Sequence, residues 1–193
     1  VRQVAQNYLP QREDVVVPYV IARDNGLRDG TEIEGLARDG GNGRRVLVEV
    51  TKAGGMEPEK YKALPHFMDL VSINPTEAFE LSGEGSEISL RVIDVIAPVG
   101  KGQRGLIVSP PKAGKTTLLE HLGKAIVQRH PDVHLILLLV DERPEEVTHF
   151  RRVVPAEVLA STSDSSSDSH IRLSRLAIER AKRLVEAGRH VVI

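Results

Sequence analysis

The sequence predicts an α/β fold in which a parallel sheet carries helices on both faces, preceded by a smaller region of short strands. Three observations support this prediction. Residues 105–117, GLIVSPPKAGKTT, combine an apolar run, a tight turn and the start of a helical pattern. Residues 134–140, HLILLLV, form a continuous apolar run that suits a strand covered on both faces. Residues 14–50 instead alternate short β-type runs with glycine turns.

The N-terminal region is predicted to be the remnant of a small β-barrel. Glycine beside Asn or Asp favours the left-handed backbone that tight turns require. The predicted strands are 14–21, 31–36 and 45–50, and the predicted turns are Asn25-Gly26, Asp29-Gly30 and 40–43. Pro58, Pro65 and Pro75 then punctuate a connector. We therefore divide the chain into a barrel remnant over 1–52, a connector over 53–80 and an α/β region over 81–193.

The first half of the α/β region is predicted from its periodicity. Residues 79–81 and 88–95 show β-type alternation. Leu106-Ile107-Val108 is predicted to be a buried strand that leads into the turn. The helix that follows should run to about His130, where Pro131 ends it.

The second half of this region contains a polar loop and a long helix. Residues 160–170 are predicted to be a surface loop that supplies a helix N-cap. An amphipathic helix is predicted over 171–187, and Gly188 should stop it. The basic side chains of this helix are predicted to form a face exposed to solvent. These side chains are Arg172, Arg175, Arg180, Lys182 and Arg183.

The turn after residue 108 has the chemistry of a phosphate-binding loop. A helix N-terminus presents unpaired N–H groups and a partial positive charge, which a phosphate tail can satisfy. Gly114 allows the backbone to approach a phosphate closely, Lys115 could reach the β- and γ-phosphates, and the Thr116 hydroxyl could bind Mg²⁺. Ser109 departs from the general motif, which has glycine there. The two prolines that follow it lack N–H groups, so residues 112–116 must supply the donors.

An acidic and basic segment, DERPEEV at 141–147, follows the second apolar run directly. The carboxyl ends of parallel strands are where α/β sheets bind ligands. A carboxylate at this edge could orient the water that attacks a γ-phosphate. We assign this function to Glu142 and a role in the site to Arg143. For Glu145 and Glu146 the pattern favours a structural role at a helix N-terminus.

Composition excludes several classes of protein. The formal net charge is −1, so a nucleic-acid surface would have to be local. The chain has no Cys, which excludes disulfides and thiolate metal sites, and its seven His residues show no ligand spacing. No apolar run is long enough to cross a membrane, and no signal-peptide pattern opens the chain. A cytoplasmic protein is therefore expected.

Three segments together resemble the Rho family of bacterial transcription termination factors. These segments are GKGQRG at 100–105, PPKAGKT at 110–116 and DERPEEV at 141–147. The resemblance extends from about Asn7 to the last residue, and it is strongest over 90–193. It implies a RecA-like P-loop motor preceded by a cold-shock-like OB domain. It also implies an RNA-dependent ATPase and helicase that assembles as a homohexamer, moves on single-stranded nascent RNA and releases RNA polymerase.

The resemblance assigns roles to individual residues. Glu142 is similar to the catalytic carboxylate of the family, which would act together with Lys115. Thr116 is similar to the Mg²⁺ ligand of the family. The residues implied to contact ATP are Gly100, Lys101, Gly102, Gln103, Arg104, Gly105, Lys112, Ala113, Gly114, Lys115, Thr116, Thr117 and Arg143. The positions that match RNA-binding residues are Arg2, Asp14, Arg44 and Arg45. Rho-like sequences usually have a Tyr where Val16 stands, so RNA binding by this region has little aromatic support.

Two alternatives remain open at this stage. The chain could belong to another RecA-like hexameric ATPase, or it could be an RNA-binding module whose motor is inactive. Val1 is not a Met, and 190–193 reads as the start of a further buried strand. We therefore expect a piece of a longer motor, cut at both ends and inactive by itself.

Overall fold

The computed structural model describes residues 1–3, 8, 10–41 and 43–193. Asn7, where the family resemblance begins, and Asn42, in a predicted turn, lie outside these ranges. In the N-terminal region three strands form one sheet: β1 (Val15–Val16), β2 (Ile33–Asp39) and β3 (Arg45–Ala53). The strand order is β1-β3-β2, with β1 parallel and β2 antiparallel to the central β3. This arrangement does not confirm a closed barrel, which stays a prediction.

The predicted strand over 14–21 is wrong beyond its first residues. The chain leaves the sheet after β1 and forms helix α1 (Tyr19–Asp24). Pro18 explains the change, because it has no N–H to give to a ladder and its φ of −61° suits the entry to a helix. The predicted turn at Asn25-Gly26 ends this helix, and Gly26 adopts a φ of 62°.

The connector packs onto the N-terminal sheet through one aromatic residue. Its helix α2 (Pro58–Lys62) places Tyr61 in a core with Leu47, Val50 and Ala53 of β3. Tyr61 is fully buried, and its hydroxyl lies 2.7 Å from the Thr31 hydroxyl. A short 3₁₀ helix, Phe67–Asp69, follows. The first part of the connector is therefore folded structure and not a free linker.

The second sheet confirms the predicted α/β class. Its strands β4 (Val133–Glu142), β5 (Glu157–Thr162) and β6 (His190–Val192) are all parallel, in the order β5-β4-β6. Four helices accompany this sheet: α3 (Ile88–Ile96), α4 (Lys115–Arg129), α5 (Pro144–Val153) and α6 (Ser167–Glu186). No helix in the described ranges is long and apolar enough to cross a membrane.

Helices cover both faces of this sheet, as predicted. Adjacent residues of a strand point to opposite faces, so β4 divides its apolar side chains between two cores. Leu135 packs in one core with Phe150 and Val154 at α5 and its end. Ile136 packs in the other core with α6 residues such as Leu173. The continuous apolar run of β4 is thus explained by burial on both sides.

Residues 106–108 are not the buried strand that the sequence predicts. They belong to no strand, and the side chains of Leu106 and Val108 are largely exposed, at 88% and 80%. A strand needs a hydrogen-bonding neighbour. In the described sheet β4 is flanked by β5 and by the three-residue β6, and β6 already pairs with β4 through Val133–Leu135. The apolar run therefore forms no strand.

Two further elements differ from the predictions. Residues 88–95 form helix α3 and not a strand, because their apolar positions fit a period of 3.6 as well as a period of 2. Leu90 supports the helical solution by packing with Phe79 and Leu81. Strand β5 was not predicted, since only a few apolar residues precede the serine-rich loop. The predicted loop is real but starts later, after Thr162.

The long helix α6 begins earlier than predicted, and its basic face is not uniformly solvated. The Ser166 hydroxyl accepts a hydrogen bond from the Ser169 N–H and caps the helix, while Gly188 follows it with a φ of 80°. The side chains of Arg180 and Arg183 are only 13% and 5% exposed, and both pair with carboxylates. Ion pairing has replaced the solvated face at these two positions: Arg180 pairs with Glu157 of β5, and Arg183 pairs with Glu186 of its own helix.

Arg180 belongs to a buried polar cluster around Glu157. The Glu157 carboxylate accepts hydrogen bonds from the Tyr8 hydroxyl at 2.9 Å, the His134 ring at 2.8 Å and the Arg180 guanidinium at 2.7 Å. Burial by itself would raise the pKa of Glu157, but these hydrogen bonds and the Arg180 charge hold it at about 2. The cluster joins Tyr8 to both β4 and α6.

We expect the fold to lose stability in acid, because protonation of Glu157 removes the charge on which this cluster depends. The folded-state pKa of Glu157 lies below its ordinary value of 4.5, so its contribution is present above that pH and is lost as pH falls toward about 2. The loss between neutral pH and about pH 3 should be about 2 kcal/mol. Urea unfolding across this range measures it. Glu157→Gln should flatten the pH dependence, whereas Glu34→Gln, in an exposed pair with Lys52, should not; equal slopes in the two variants would refute the assignment.

Candidate nucleotide site

The predicted phosphate-binding loop ends in a left-handed turn at the start of a helix. Gly114 is the N-cap of α4 and has a left-handed φ of 87°, and Lys112 also has a positive φ, of 62°. Helix α4 begins at Lys115, and the carbonyl of Gly114 accepts the Leu118 N–H at 2.9 Å. The first N–H groups of α4 have no partner within the helix. Together with the helix dipole they form a site suited to an anion.

The side chains at the start of α4 point to two environments. Lys115 and Thr117 are exposed, so both can reach a ligand in solvent. Thr116 is half-buried, and its hydroxyl donates to a Glu146 carboxylate oxygen at 3.5 Å. Glu146 lies in the first turn of α5. The structure therefore brings the N-terminal ends of α4 and α5 together.

Glu142 and Arg143 lie where β4 ends and α5 begins. Asp141 has a φ of 58°, and the β4–β5 register shifts between Val140 and Glu142. Such a bulge turns the next side chain away from the regular alternation of the strand. Arg143 is the N-cap of α5, and its carbonyl accepts from the N–H groups of Glu146 and Val147. Both residues thus occupy the carboxyl edge of the parallel sheet, as predicted.

Glu146 lies beside the predicted site, although the sequence predicts only a structural role for it. Its position in the first turn of α5 agrees with the predicted structural role, which Glu145 also fills from an exposed position. The contact with Thr116 adds a carboxylate directly beside the predicted Mg²⁺ ligand. One signal was available, because Glu142 and Glu146 are four residues apart at a strand-to-helix junction.

The loop at 100–105 is held by the end of the connector. The Lys101 ammonium pairs with the Glu77 carboxylate at 2.5 Å. The backbone N–H of Lys101 donates to the backbone carbonyl of Glu77 at 2.8 Å. The hydrogen bond between the two side chains raises the pKa of Lys101 and lowers the pKa of Glu77. Gln103 closes the loop by accepting the Gly100 N–H at 2.8 Å. The Lys101 ammonium is therefore engaged by protein, and its predicted contact with ATP stays a prediction.

The donor set near Thr116 fits Mg²⁺ that arrives with a nucleotide. Magnesium prefers oxygen ligands and is usually held by one or two protein groups together with substrate phosphates. The Thr116 hydroxyl and the Glu146 carboxylate provide such oxygens, and Lys115 provides a nearby charge for phosphate. Over the ranges that the structure describes, no group of three or more His, Cys, Asp or Glu side chains could hold a metal ion alone.

The predicted RNA-binding residues do not share a single surface. Asp14 and Arg44 line one open groove of about 560 Å³, together with Gln11, Arg12, Val16 and Gly43. Arg2 lines a different and much smaller cavity, of about 30 Å³, between Tyr8 and α6. Arg45 stands opposite Val15 in the β1–β3 ladder. Two of the four predicted residues are thus brought together, and Arg12 joins them as a second cation.

Comparison with known proteins shows which proteins the chain resembles. The transcription termination factors Rho of Streptomyces coelicolor and Aquifex aeolicus are 47% and 46% identical to the chain over 97% and 100% of its length. Rho of Mycobacterium tuberculosis is 44% identical over 96% of the chain. The chain spans 44%, 45% and 32% of these relatives, less than half of each.

A family model matches the C-terminal region of the chain. It matches residues 89–193, more than half of the chain, and it describes the ATP synthase alpha/beta family, nucleotide-binding domain. The match includes the phosphate-binding loop, the segment at 141–147 and all three parallel strands. The predicted resemblance to Rho factors is confirmed by the curated relatives. The chain therefore belongs to the ATP synthase alpha/beta family, nucleotide-binding domain, and over nearly its whole length it is similar to the transcription termination factors Rho.

Proposed function

We propose that this chain supplies the ATP-binding part of a Rho-type, RNA-dependent ATPase that terminates transcription. The observation that carries the proposal is the meeting of α4 and α5 at Thr116 and Glu146, in a chain similar to Rho factors over nearly its whole length. Its regions would be those predicted from sequence: an RNA-binding part over 1–52, a connector over 53–80 and a motor over 81–193. The active form would be a cytoplasmic homohexamer acting on nascent RNA and the transcription complex.

The phosphate-binding loop would hold ATP. The N–H groups of Lys112 and of Gly114 to Thr117 would surround the phosphates, and the exposed Lys115 would pair with the β- and γ-phosphates. The Ala113 N–H donates to the Pro110 carbonyl at 3.3 Å, so it would join them only by exchanging that bond for a phosphate. The Thr116 hydroxyl and the Glu146 carboxylate would hold Mg²⁺. Bound Mg²⁺ would neutralise charge on the phosphates. Gly100–Gly105, including Arg104, would contact the nucleotide from the connector side.

Hydrolysis would depend on the edge of β4. Glu142 would accept a hydrogen bond from water and align its oxygen with the γ-phosphorus, while Arg143 would contact the nucleotide. Both side chains are placed by the bulge at Asp141 and by the N-cap of α5. A charged group fixed by backbone geometry needs little reorganisation during reaction, which is how such sites stabilise developing charge.

RNA would bind in the groove lined by Asp14 and Arg44. Arg12 and Arg44 offer cations to phosphates, and Asp14 offers an acceptor to base edges. Val16 provides an apolar surface and no aromatic ring, so stacking would contribute less than in aromatic-rich sites. Binding should therefore be weak and strongly dependent on salt.

The test is ATP hydrolysis by the full-length protein with and without a cytidine-rich single-stranded RNA. We expect RNA to stimulate the rate. Arg44→Ala should raise the RNA concentration for half-maximal stimulation by about 3–10-fold and leave the basal rate unchanged. Arg38→Ala removes an equal charge from the neighbouring strand β2, outside the groove, and should have little effect.

Other results would favour the alternatives. Hydrolysis that is independent of RNA would indicate another RecA-like hexameric ATPase, which the family match alone would also permit. RNA binding without ATP hydrolysis would indicate an RNA-binding module with an inactive motor. Equal effects of the two arginine variants would remove the groove from the proposal.

A further inference from the structure

Helices α4 and α5 are joined by two successive polar contacts. The first is between Thr116 and Glu146, at 3.5 Å. The second lies one turn further along both helices, where the His149 ring nitrogen is 2.8 Å from a Glu120 carboxylate oxygen. Residues three or four apart lie on one face of a helix. Thr116 and Glu120 therefore share one face of α4, and Glu146 and His149 share the face of α5 that meets it. The two contacts make a short ladder that starts at the nucleotide site.

Each residue of the second contact also interacts with a neighbour on its own helix. The Glu120 side chain is 17% exposed, and its other oxygen accepts from Lys124 at 2.5 Å. Hydrogen bonds from Lys124 and His149 lower the pKa of Glu120, so this carboxylate is charged near neutral pH. On α5, the His149 ring meets Phe150 edge to face, at 6.0 Å between ring centroids. Phe150 is buried in the core with Leu135 and Val154.

Apolar packing and the polar contact restrict α5 in different ways. Burial of Phe150 holds the helix against the sheet, but apolar contact is non-directional and permits small rotations about the helix axis. A hydrogen bond prefers a narrow range of distances and angles. The Glu120–His149 pair therefore restricts the rotation of α5 relative to α4. The orientation of Glu146, and of Glu142 and Arg143 before the helix, depends on that rotation.

We propose that Glu120 and His149 are positioning residues that hold α5 in register with the phosphate-binding helix, and so hold Glu142 in its reactive orientation. This inference rests on the proposed ATPase function for its kinetic part. Neither residue is placed in contact with nucleotide, so the pair acts through Glu142 and Glu146. Displacements of about 1 Å can cost catalytic sites up to about 100-fold in rate. Because Phe150 still anchors α5, we expect a smaller effect.

The test compares His149→Ala, His149→Gln and His190→Ala in the full-length protein. His149→Ala should lower kcat for ATP by about 3–10-fold, with the Kd of a fluorescent ATP analogue and the melting temperature nearly unchanged. Gln can donate to Glu120 from a similar position and should restore most of kcat. His190 lies 4.0 Å from Asp132, and its side chain is 58% exposed against 49% for His149. Its loss therefore controls for removing a half-exposed histidine near a carboxylate.

A second readout does not depend on hydrolysis. Hydrogen exchange in the nucleotide-free protein should become faster at residues 144–150 in His149→Ala, and it should return toward the wild-type rate in His149→Gln. Unchanged exchange and unchanged kcat in His149→Ala would overturn the inference. So would parallel losses of kcat, affinity and melting temperature that Gln does not rescue. If the wild-type protein fails to hydrolyse ATP, the proposed function falls, while the exchange experiment still tests the ladder.

Discussion

Replacing Lys115 with alanine in the full-length protein is expected to reduce ATP hydrolysis by about 10²–10³-fold. The side chain is exposed at the first residue of α4, beside the unpaired N–H groups of the helix. Its charge would be closest to the β- and γ-phosphates, where negative charge is concentrated during phosphoryl transfer. Removing one group that stabilises such charge commonly costs two to three powers of ten in rate. Phosphate release at saturating ATP and RNA measures the effect.

Matched controls separate loss of chemistry from loss of structure. Lys60→Ala removes an exposed lysine of α2 that pairs with Glu57, and it should leave hydrolysis unchanged. Lys112→Ala should have an intermediate effect, because Lys112 lies in the loop before the helix. The melting temperature of Lys115→Ala should match the wild type, since the side chain is exposed. A wild-type rate in Lys115→Ala would show that the ATPase site is elsewhere and that the motor assignment is wrong.

Local chemistry made much of this site predictable. A glycine before a helix that starts with Lys-Thr permits the positive φ of Gly114, and the structure has that geometry. The acidic segment was predictable because it follows a continuous apolar run, which marks the carboxyl end of a buried strand. The contact between Thr116 and Glu146 was not predictable in the same way. It depends on how α4 and α5 pack across the sheet, and that information is tertiary.

Two of the wrong predictions share a physical cause. The apolar positions of 88–95 satisfy two periodicities, and only packing of Leu90 against Phe79 selects the helix. Residues 106–108 are apolar enough for a strand, but a strand exists only when a neighbour accepts its hydrogen bonds. In both cases local propensity is a weak prior that distant contacts decide.

Charge on α6 is another feature that tertiary contacts decide. From sequence alone a run of Arg and Lys on a helix favours a solvated face. The structure instead buries Arg183 against Glu186, whose side chain has no exposed surface. Arg28 of the N-terminal region reaches the same carboxylate at 3.0 Å, and the Phe67 N–H of the connector donates to it at 2.7 Å. One buried carboxylate thus joins the three regions that the sequence separated.

Glu186→Ala is therefore expected to destabilise the protein by about 3–5 kcal/mol. The substitution would leave the Arg183 guanidinium buried at 5% exposure, and Arg28 at 24%, without their shared counter-charge. It would also leave the Phe67 N–H without its acceptor. The Arg183 Nε and one Glu186 oxygen are 2.7 Å apart but not aligned as a hydrogen bond, so their attraction is mainly electrostatic. Urea unfolding monitored by circular dichroism gives the change in the free energy of unfolding.

The control for Glu186 lies on the same helix. Glu179 pairs with Lys182 at 2.7 Å and lies 3.8 Å from the Arg183 guanidinium, but it is 25% exposed. Because Arg183 keeps Glu186 in this variant, Glu179→Ala should cost no more than about 1 kcal/mol. A double-mutant cycle with Arg28→Ala should give a coupling energy of about 1–3 kcal/mol, because both residues share one buried contact. Equal costs for the two glutamate variants would mean that Glu186 does not join the regions energetically. A large cost with no coupling to Arg28 would instead assign the effect to the other two partners of Glu186, Arg183 and the Phe67 N–H.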